Sequence, residues 1–421
     1  MNEVPSVAAA TPSGSSPIGY ANSAGLTKLL IRNFLLTLIS LGFYRFWARA
    51  RLRRYFWSNI LLGGEPLEYT GTGLELFIGF LIAIAIIAPF GIGYAILQRI
   101  VLGSPTGEAI LVVGYVLALF VFVQIVVFRA RRYRLSRTVW RGIYAAQSGS
   151  AWRYFALSLL YSLVALLTLG LGYPWRSVAL ERYKIDHSWF GESRFSLEAK
   201  ARDLFPRWLV VMALLIVPLL AMIALNWNYV PELIRAQAQA QANPAAFKFP
   251  HPVAPWLLAV SVLGGGPALI WYWVASFRYI TSRTRLGDIR LSSAAKGSSV
   301  LKTVFVFGLA FLASGLAFVV IFASVGAMFS GMAVALGGGK AAGAGSVATM
   351  VVVGIAVFVP IYLGALIGFQ LLTYRLLRVP ILRHLATTIE IDNLAAVDGI
   401  MQSPRPRQKF GIADSFDIGA I

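Results

Sequence analysis

The chain contains no cysteine, so no disulfide framework can staple it and no thiolate can act as nucleophile or metal ligand. Histidine is almost as rare. His187, His251 and His384 stand alone, without a partner at metal-ligand spacing and without an H-E-x-x-H pattern. Carboxylates are scarce: 17 Asp and Glu in 421 residues, against 37 Lys and Arg. Glu75 and Glu108 sit at the starts of apolar runs, where the helix dipole also favours acids. Proton-coupled carriers usually need an acid deeper in the membrane. No G-x-S-x-G motif and no Ser/His/Asp order occurs, so no enzyme activity, cofactor or metal is expected. The run Gly337-Gly338-Gly339-Lys340 lacks the spacing and the following Ser/Thr of a phosphate loop. It reads as an external loop, together with Gly345.

What the chain has instead is apolar surface. It is 58% hydrophobic and 13% charged, where a soluble domain carries about 25% charged residues. Six runs, 76–97, 110–128, 208–225, 256–277, 304–329 and 347–372, are long enough to cross ~30 Å of hydrocarbon. Several contain proline (Pro89, Pro218, Pro267, Pro360), which membrane helices tolerate where neighbours re-satisfy the backbone. Two further runs, 29–47 and 155–175, are shorter or flanked by charge.

Basic residues order these runs. Of the 37 Lys and Arg, 33 fall in 28–54, 129–153, 176–207, 278–302 and 375–409. If all eight runs crossed, 129–153 and 176–207 would face opposite sides. If 29–47 and 155–175 enter and leave on one face, every basic cluster is cytoplasmic, as are both termini. We therefore expect two re-entrant or interfacial helices; ordinary short spans are the alternative. Both segments end similarly, in Leu41-Gly42-Phe43-Tyr44 with Trp47 and in Leu171-Gly172-Tyr173 with Trp175.

An Arg-Tyr pair recurs at Arg54-Tyr55, Arg132-Tyr133, Arg182-Tyr183 and Arg278-Tyr279. Nine or ten residues later come Gly63/Gly64, Gly142, Gly191 and Gly287. Arg378-Val379 resembles a decayed fifth copy without the glycine. The residue five after each arginine is Asn59, Arg137, His187, Arg283 and Arg383 in turn. Alternating apolar residues around these glycines signal hairpins with primed turns. The expected class is an all-α polytopic membrane protein with internal tandem repeats. It has about six full spans, two re-entrant helices and short cytoplasmic hairpins that can pair into a small sheet. The expected segments are a disordered tail (1–24, without signal-peptide character), two membrane repeats (25–150 and 151–298), a third span pair (299–390) and a C-terminal tail (391–421).

The arginines of the motif hold a carboxylate, a carbonyl or a lipid phosphate, with the tyrosine ring at the interface. Anionic membrane lipids are the expected partners. Nucleic acid is not, despite a net charge of +20, because that charge is spread over five membrane-proximal clusters. Gln124 and Gln370 lie inside spans and either line a polar path or bond between helices. Two functions follow: a transport or permeation protein, or a non-transporting scaffold that binds anionic lipid or a protein partner through its basic hairpin face.

The block LLTLISLGFYRFWARARLRRYFWSNILLGGEPLEYTGTGLELFIGF (35–80) carries the Leu-Gly-x-Tyr-x-x-Trp-Ala run, Arg53-Arg54-Tyr55, the Gly63-Gly64 turn and Tyr69-Thr70-Gly71-Thr72-Gly73. On these residues the chain resembles the YjgN family of bacterial inner-membrane proteins. The resemblance implies a bacterial inner-membrane location and this architecture. It implies no activity, and no catalytic residue can be carried over.

Overall fold

The computed structural model describes residues 15–21, 24–227, 253–335 and 344–403. His251 and the Gly337–Lys340 run lie outside these. The chain opens with β1 (Ser16–Pro17), β2 (Gly19–Tyr20), α1 (Leu26–Ile39) and α2 (Arg45–Asn59). Strands β3 (Ile60–Leu62), β4 (Glu65–Pro66) and β5 (Glu68–Tyr69) lead into helices α3 (Gly73–Val101) and α4 (Pro105–Ser136). A hairpin of β6 (Thr138–Trp140) and β7 (Ile143–Gln147) precedes α5 (Ala151–Leu167) and α6 (Tyr173–Asp186). A hairpin of β8 (Ser188–Phe190) and β9 (Ser193–Leu197) precedes α7 (Ala201–Leu225) and α8 (Ala254–Thr281). Strands β10 (Thr284–Leu286) and β11 (Ile289–Ser293) precede α9 (Gly297–Ala335) and α10 (Ala344–Leu372). A π-helical turn then joins α10 to α11 (Val379–Thr387) and β12 (Ile389–Asp392).

Among the described residues, six helices are long and apolar enough to span a membrane, matching the six expected runs. Each extends beyond its run. The α4 helix, for example, carries its apolar stretch straight into the basic Arg129–Arg134 segment. Its start is set locally. Ser104 caps it by accepting from the Gly107 N–H at 3.2 Å, Pro105 occupies the first turn, and Glu108 accepts from Gly103 N–H at 3.0 Å.

The class is not all-α. Nine strands form one antiparallel sheet in the order β1-β12-β11-β10-β9-β8-β7-β6-β5, and β2-β3-β4 form a second. Hairpins that would be marginal alone are stabilised by pairing with their neighbours. Residues 15–21, expected in a disordered tail, supply β1 and β2, and the expected C-terminal tail begins inside β12 and continues as a 3₁₀ turn, Leu394–Gly399. Both correct the tail boundaries. Gly345, expected in a loop, lies within α10. The edge strands β1 and β5 are two residues long, and β1 contains Pro17, which discourages pairing with a further chain. Across the sheet runs a core of Trp140, Leu286, Ile289, Ile391 and Val397.

The hairpin turns are two residues long, with Leu62↔Glu65, Trp140↔Ile143, Phe190↔Ser193 and Leu286↔Ile289 as closing pairs. Such loops need positive φ to match strand twist. Gly287 supplies it at +56°.

The helix pairs leave from and return to neighbouring strands. Tyr69, before α3, pairs with Thr138 after α4. Gln147, before α5, pairs with Ser188 after α6. Leu197, before α7, pairs with Thr284 after α8. Ser293, before α9, pairs with Ile389.

The chain divides into two compact units. One comprises Met1–Ala21, Arg49–Ser298 and Ala386–Ile421; the other comprises Asn22–Ala48 and Ser299–Leu385. In the second, Arg375 donates to the Thr27 hydroxyl, tying α1 to the end of the α10 segment.

The same turn closes α1 and α5. Gly42 N–H donates to the Thr37 carbonyl at 2.7 Å and Leu41 N–H to Leu38 at 3.0 Å; Gly170 donates to Ala165 at 2.6 Å and Leu169 to Leu166 at 3.0 Å. Both are Schellman motifs, with a leucine at φ +50° in each. The conformational match therefore pairs Leu41-Gly42 with Leu169-Gly170. The register read from sequence, which pairs them with Leu171-Gly172, is two residues off. Apolar residues at the turns face outward, Leu41 at 90% and Leu167 at 82% exposure.

Helices α7 and α8 each carry one π-helical turn, Met212–Ile216 and Ser261–Gly265. Pro218 and Pro267 follow and leave the Leu214 and Leu263 carbonyls without their usual donors. The two turns face each other, and Ser261 Oγ donates to the Leu215 carbonyl at 3.1 Å. A Cβ at Gly265 would lie 2.9 Å from Leu215 Cα, so only glycine permits this approach.

Candidate functional site

The Arg-Tyr pairs form joints between helix ends and helix starts. Arg54 Nη2 donates to the Gly71 carbonyl at 2.9 Å, Arg132 to Gly149 and Arg182 to Ala199. Each acceptor is seventeen residues on and directly precedes the residue capping the next helix: Thr72 of α3, Ser150 of α5, Lys200 of α7. Of the three acceptors the sequence allowed, the backbone carbonyl is the one observed. Arg132 also reaches the Ser148 carbonyl at 3.2 Å. Arg278 is exposed and makes no side-chain hydrogen bond to a described residue.

The tyrosines reach backward, to the helix start served by the preceding arginine. Tyr133 OH donates to Glu75 Oε2 at 2.8 Å. Tyr183 OH donates to the Ser150 carbonyl and accepts from its N–H, both at 2.9 Å. Tyr279 OH donates to Asp203 Oδ2 at 2.6 Å and accepts from Lys200 N–H at 2.9 Å. Glu75 and Asp203 are third in their helices, where acids favour the dipole. Tyr133 is fully buried in protein rather than seated at an interface. Arg137 grips Glu75 with two bonds, Nη2–Oε1 at 2.9 Å and Nε–Oε2 at 3.1 Å, and lies over the Tyr133 ring. Arg283 lies over Tyr279 in the same way. Tyr55 contacts Phe56, and Arg378 donates to Tyr374 OH at 3.2 Å. His187 Nδ1 lies 2.7 Å from the Tyr183 carbonyl, as Asn59 Nδ2 lies 2.6 Å from the Tyr55 carbonyl.

The sequence did not single out a second cluster, where α4, α5 and α6 meet the sheet. Arg176 Nε donates to Ser162 Oγ at 2.8 Å and Nη2 to Ser158 Oγ at 3.3 Å. Lys184 pairs with Glu181. Arg131 Nη2 reaches Ser188 Oγ at 3.5 Å, while its Nε is buried without a partner. Burial holds Lys184 below its ordinary pKa; Glu181 opposes this, and nearby Arg131 and Arg176 add to it. Three cations thus share one carboxylate. Arg176, Glu181 and Lys184 share α6, but no spacing rule announces that Arg131 joins them, because it comes from α4.

A third feature is a 360 Å³ cavity between α6, α7 and α8, walled by Tyr173, Trp208, Tyr272 and Trp273, with Ser177 and Ser276 at its polar side. Tyr173 and Trp208 stack at 4.4 Å, and Trp208 Nε1 is engaged by the Gly170 carbonyl at 2.8 Å. Gln124 lies half-buried on α4 and Gln370 half-buried on α10; neither lines this cavity.

A family model described as "Bacterial protein of unknown function (DUF898)" matches residues 21–314. The chain is 28% identical over 152 residues to Inner membrane protein YjgN of Salmonella typhimurium. That match covers 33% of this chain and 36% of the relative's length. No solved structure matches the chain.

Proposed function

The chain belongs to the DUF898 family of bacterial proteins matched over 21–314, and from its own geometry we propose that this multi-pass inner-membrane protein is a non-transporting scaffold whose basic cytoplasmic sheet holds anionic lipid headgroups. One observation carries this reading: the strands flanking the α3–α4, α5–α6, α7–α8 and α9–α10 pairs are neighbours in a single sheet. That arrangement gathers segments 129–153, 176–207 and 278–302 on one side, where each nearby basic residue adds ~1 kcal/mol of attraction to an acidic leaflet.

Two finer readings go with the proposal. The first is tandem duplication, supported by recurrent joints at an offset of seventeen residues and by the matched Schellman turns. The second is that α5 and α6 form a re-entrant hairpin. In its support, Gln147 and Ser188 are strand partners, and the outward leucines of the turn suit lipid. The turn also touches Trp208, seven residues into α7, or ~10 Å along the helix. Trp208 is also the first residue of the apolar run 208–225, so the contact sets the turn at the start of that span.

Reconstitution in nanodiscs tests the proposal. The unfolding midpoint should rise with the fraction of phosphatidylglycerol in phosphatidylcholine, and the rise should shrink at high salt. Equal midpoints in zwitterionic and anionic discs would sink it. A permeation reading is favoured by the facing π-helical turns of α7 and α8. Protein-dependent ion or solute flux in proteoliposomes would select it instead.

A further inference from the structure

We infer that the junction of α4, α6 and strands β7 and β8 is a binding site for a phosphate-class anion. Two independent observations converge there. The first is charge: Arg131, Arg176 and Lys184 gather around the single carboxylate of Glu181. Lys184 and Glu181 are 16% and 31% exposed, and an excess of positive charge partly withdrawn from water is costly unless an anion completes it.

The second is a buried side chain with nothing to bond. Gln147 is 7% exposed, and neither its amide nitrogen nor its oxygen has a hydrogen-bond partner. Leaving such a group unsatisfied is unfavourable. Gln147 pairs directly with Ser188 across the β7–β8 ladder. Directly opposed residues place their side chains on the same face of the sheet, with Cβ atoms about 5 Å apart. Ser188 Oγ is the atom that Arg131 Nη2 approaches, and it donates to the Lys184 carbonyl at 2.8 Å. The unpaired amide, the unpaired Arg131 Nε and the Lys184 helix end therefore lie around one spot.

The donor set describes the occupant. The Arg131 Nε–H and the Gln147 NH₂ seek acceptor oxygens. Gln147 Oε1 seeks a donor. A ligand with anionic oxygens and a hydroxyl satisfies all three. Inorganic phosphate carries both groups on one phosphorus. The headgroup of phosphatidylglycerol carries a phosphodiester and glycerol hydroxyls. The two sources share the chemistry, and the experiment separates them.

Full-length protein in phospholipid-free detergent is titrated calorimetrically with inorganic phosphate. In parallel, its unfolding midpoint is measured in nanodiscs of phosphatidylcholine with and without phosphatidylglycerol, in buffer free of inorganic phosphate. Both are repeated for Arg131→Gln and Gln147→Leu, with Arg290→Gln as a control that removes an exposed charge elsewhere. For a free anion, phosphate binds one per chain, and binding weakens about tenfold in the first two variants and not in the control. For a headgroup, phosphatidylglycerol raises the midpoint in wild type and control but not in the two variants. Either pattern supports the site. No response to either ligand, or a response that survives both site variants, overturns it. Should Arg131→Gln not fold, Gln147→Leu decides, since it removes no existing bond and no charge.

Discussion

Arg54 reaches the backbone carbonyl of Gly71, seventeen residues on and beyond the intervening hairpin, at 2.9 Å. Arg132 and Arg182 repeat the bond to Gly149 and Ala199. Each bond ties the end of one helix to the start of the next and orients the hairpin between them. A guanidinium is a rigid planar donor, whereas a lysine ammonium is a flexible point charge. Arg182→Lys should therefore lower stability by about 1 kcal/mol, and Arg182→Met, which leaves the carbonyl without a donor, by about 2 kcal/mol. Unfolding midpoints of the two variants in nanodiscs check the order; equal midpoints for wild type and Arg182→Lys would show that geometry is irrelevant.

Glu75 is held by Tyr133 and by Nε and Nη2 of Arg137. The Arg137 and Glu75 side chains are 13% and 24% exposed, so solvent screens the pair only in part. Glu75→Gln should cost about 2–4 kcal/mol, because it strands Arg137 without its carboxylate. Tyr133→Phe should cost about 1 kcal/mol. A smaller loss for Glu75→Gln than for Tyr133→Phe contradicts this account.

Gly287 lies at φ +56°, and a Cβ added there would meet no atom within 4 Å, so the effect of substitution is conformational. Gly287→Val should reduce the yield of folded protein severely and Gly287→Asn only mildly, since asparagine tolerates the left-handed region. Comparable yields for the two would remove the primed-turn argument.

Gly265 faces Leu215 across the paired π-helical turns. Gly265→Leu should separate α7 from α8 and lower the unfolding midpoint. Adding Leu215→Ala should restore part of the loss, because the clash is with that side chain as well as its backbone. Strictly additive losses in the double variant would place the damage elsewhere.

The absence of native cysteine permits a clean test of sidedness. Cysteines at Arg141 and Glu192, exposed at the turns before α5 and after α6, should both resist a membrane-impermeant thiol reagent in intact cells. Both should label once the inner membrane is permeabilised. Labelling from opposite sides would end the re-entrant reading.

Several features are legible in the chain because they are local. Apolar runs longer than the bilayer is thick mark spans wherever they occur. The glycines after each Arg-Tyr pair mark turns, because only certain residues accept positive φ. The repeat of the joint is also present: Glu75 and Asp203 lie 128 residues apart, as Arg54 and Arg182 do. It is easily passed over, because the helix dipole already accounts for Glu75. The Leu-Gly register is ambiguous because two leucine-glycine pairs, at 169–170 and 171–172, compete. Only the hydrogen bonds of the Schellman turn choose between them.

By itself, then, the sequence determined membrane residence, the number of long apolar helices, the sites of the hairpins and the recurrence of the joint. All of these depend on composition or on contacts within about twenty residues. The tertiary structure alone decided that the hairpins join in one nine-stranded sheet. It alone placed Gln147 and Ser188 side by side beneath Arg131, and made backbone carbonyls the acceptors of Arg54, Arg132 and Arg182. Strand pairing uses backbone groups that every residue carries, so partner choice leaves little trace in residue type. A charge cluster that joins α4 to α6 likewise has no spacing until packing brings the two helices together.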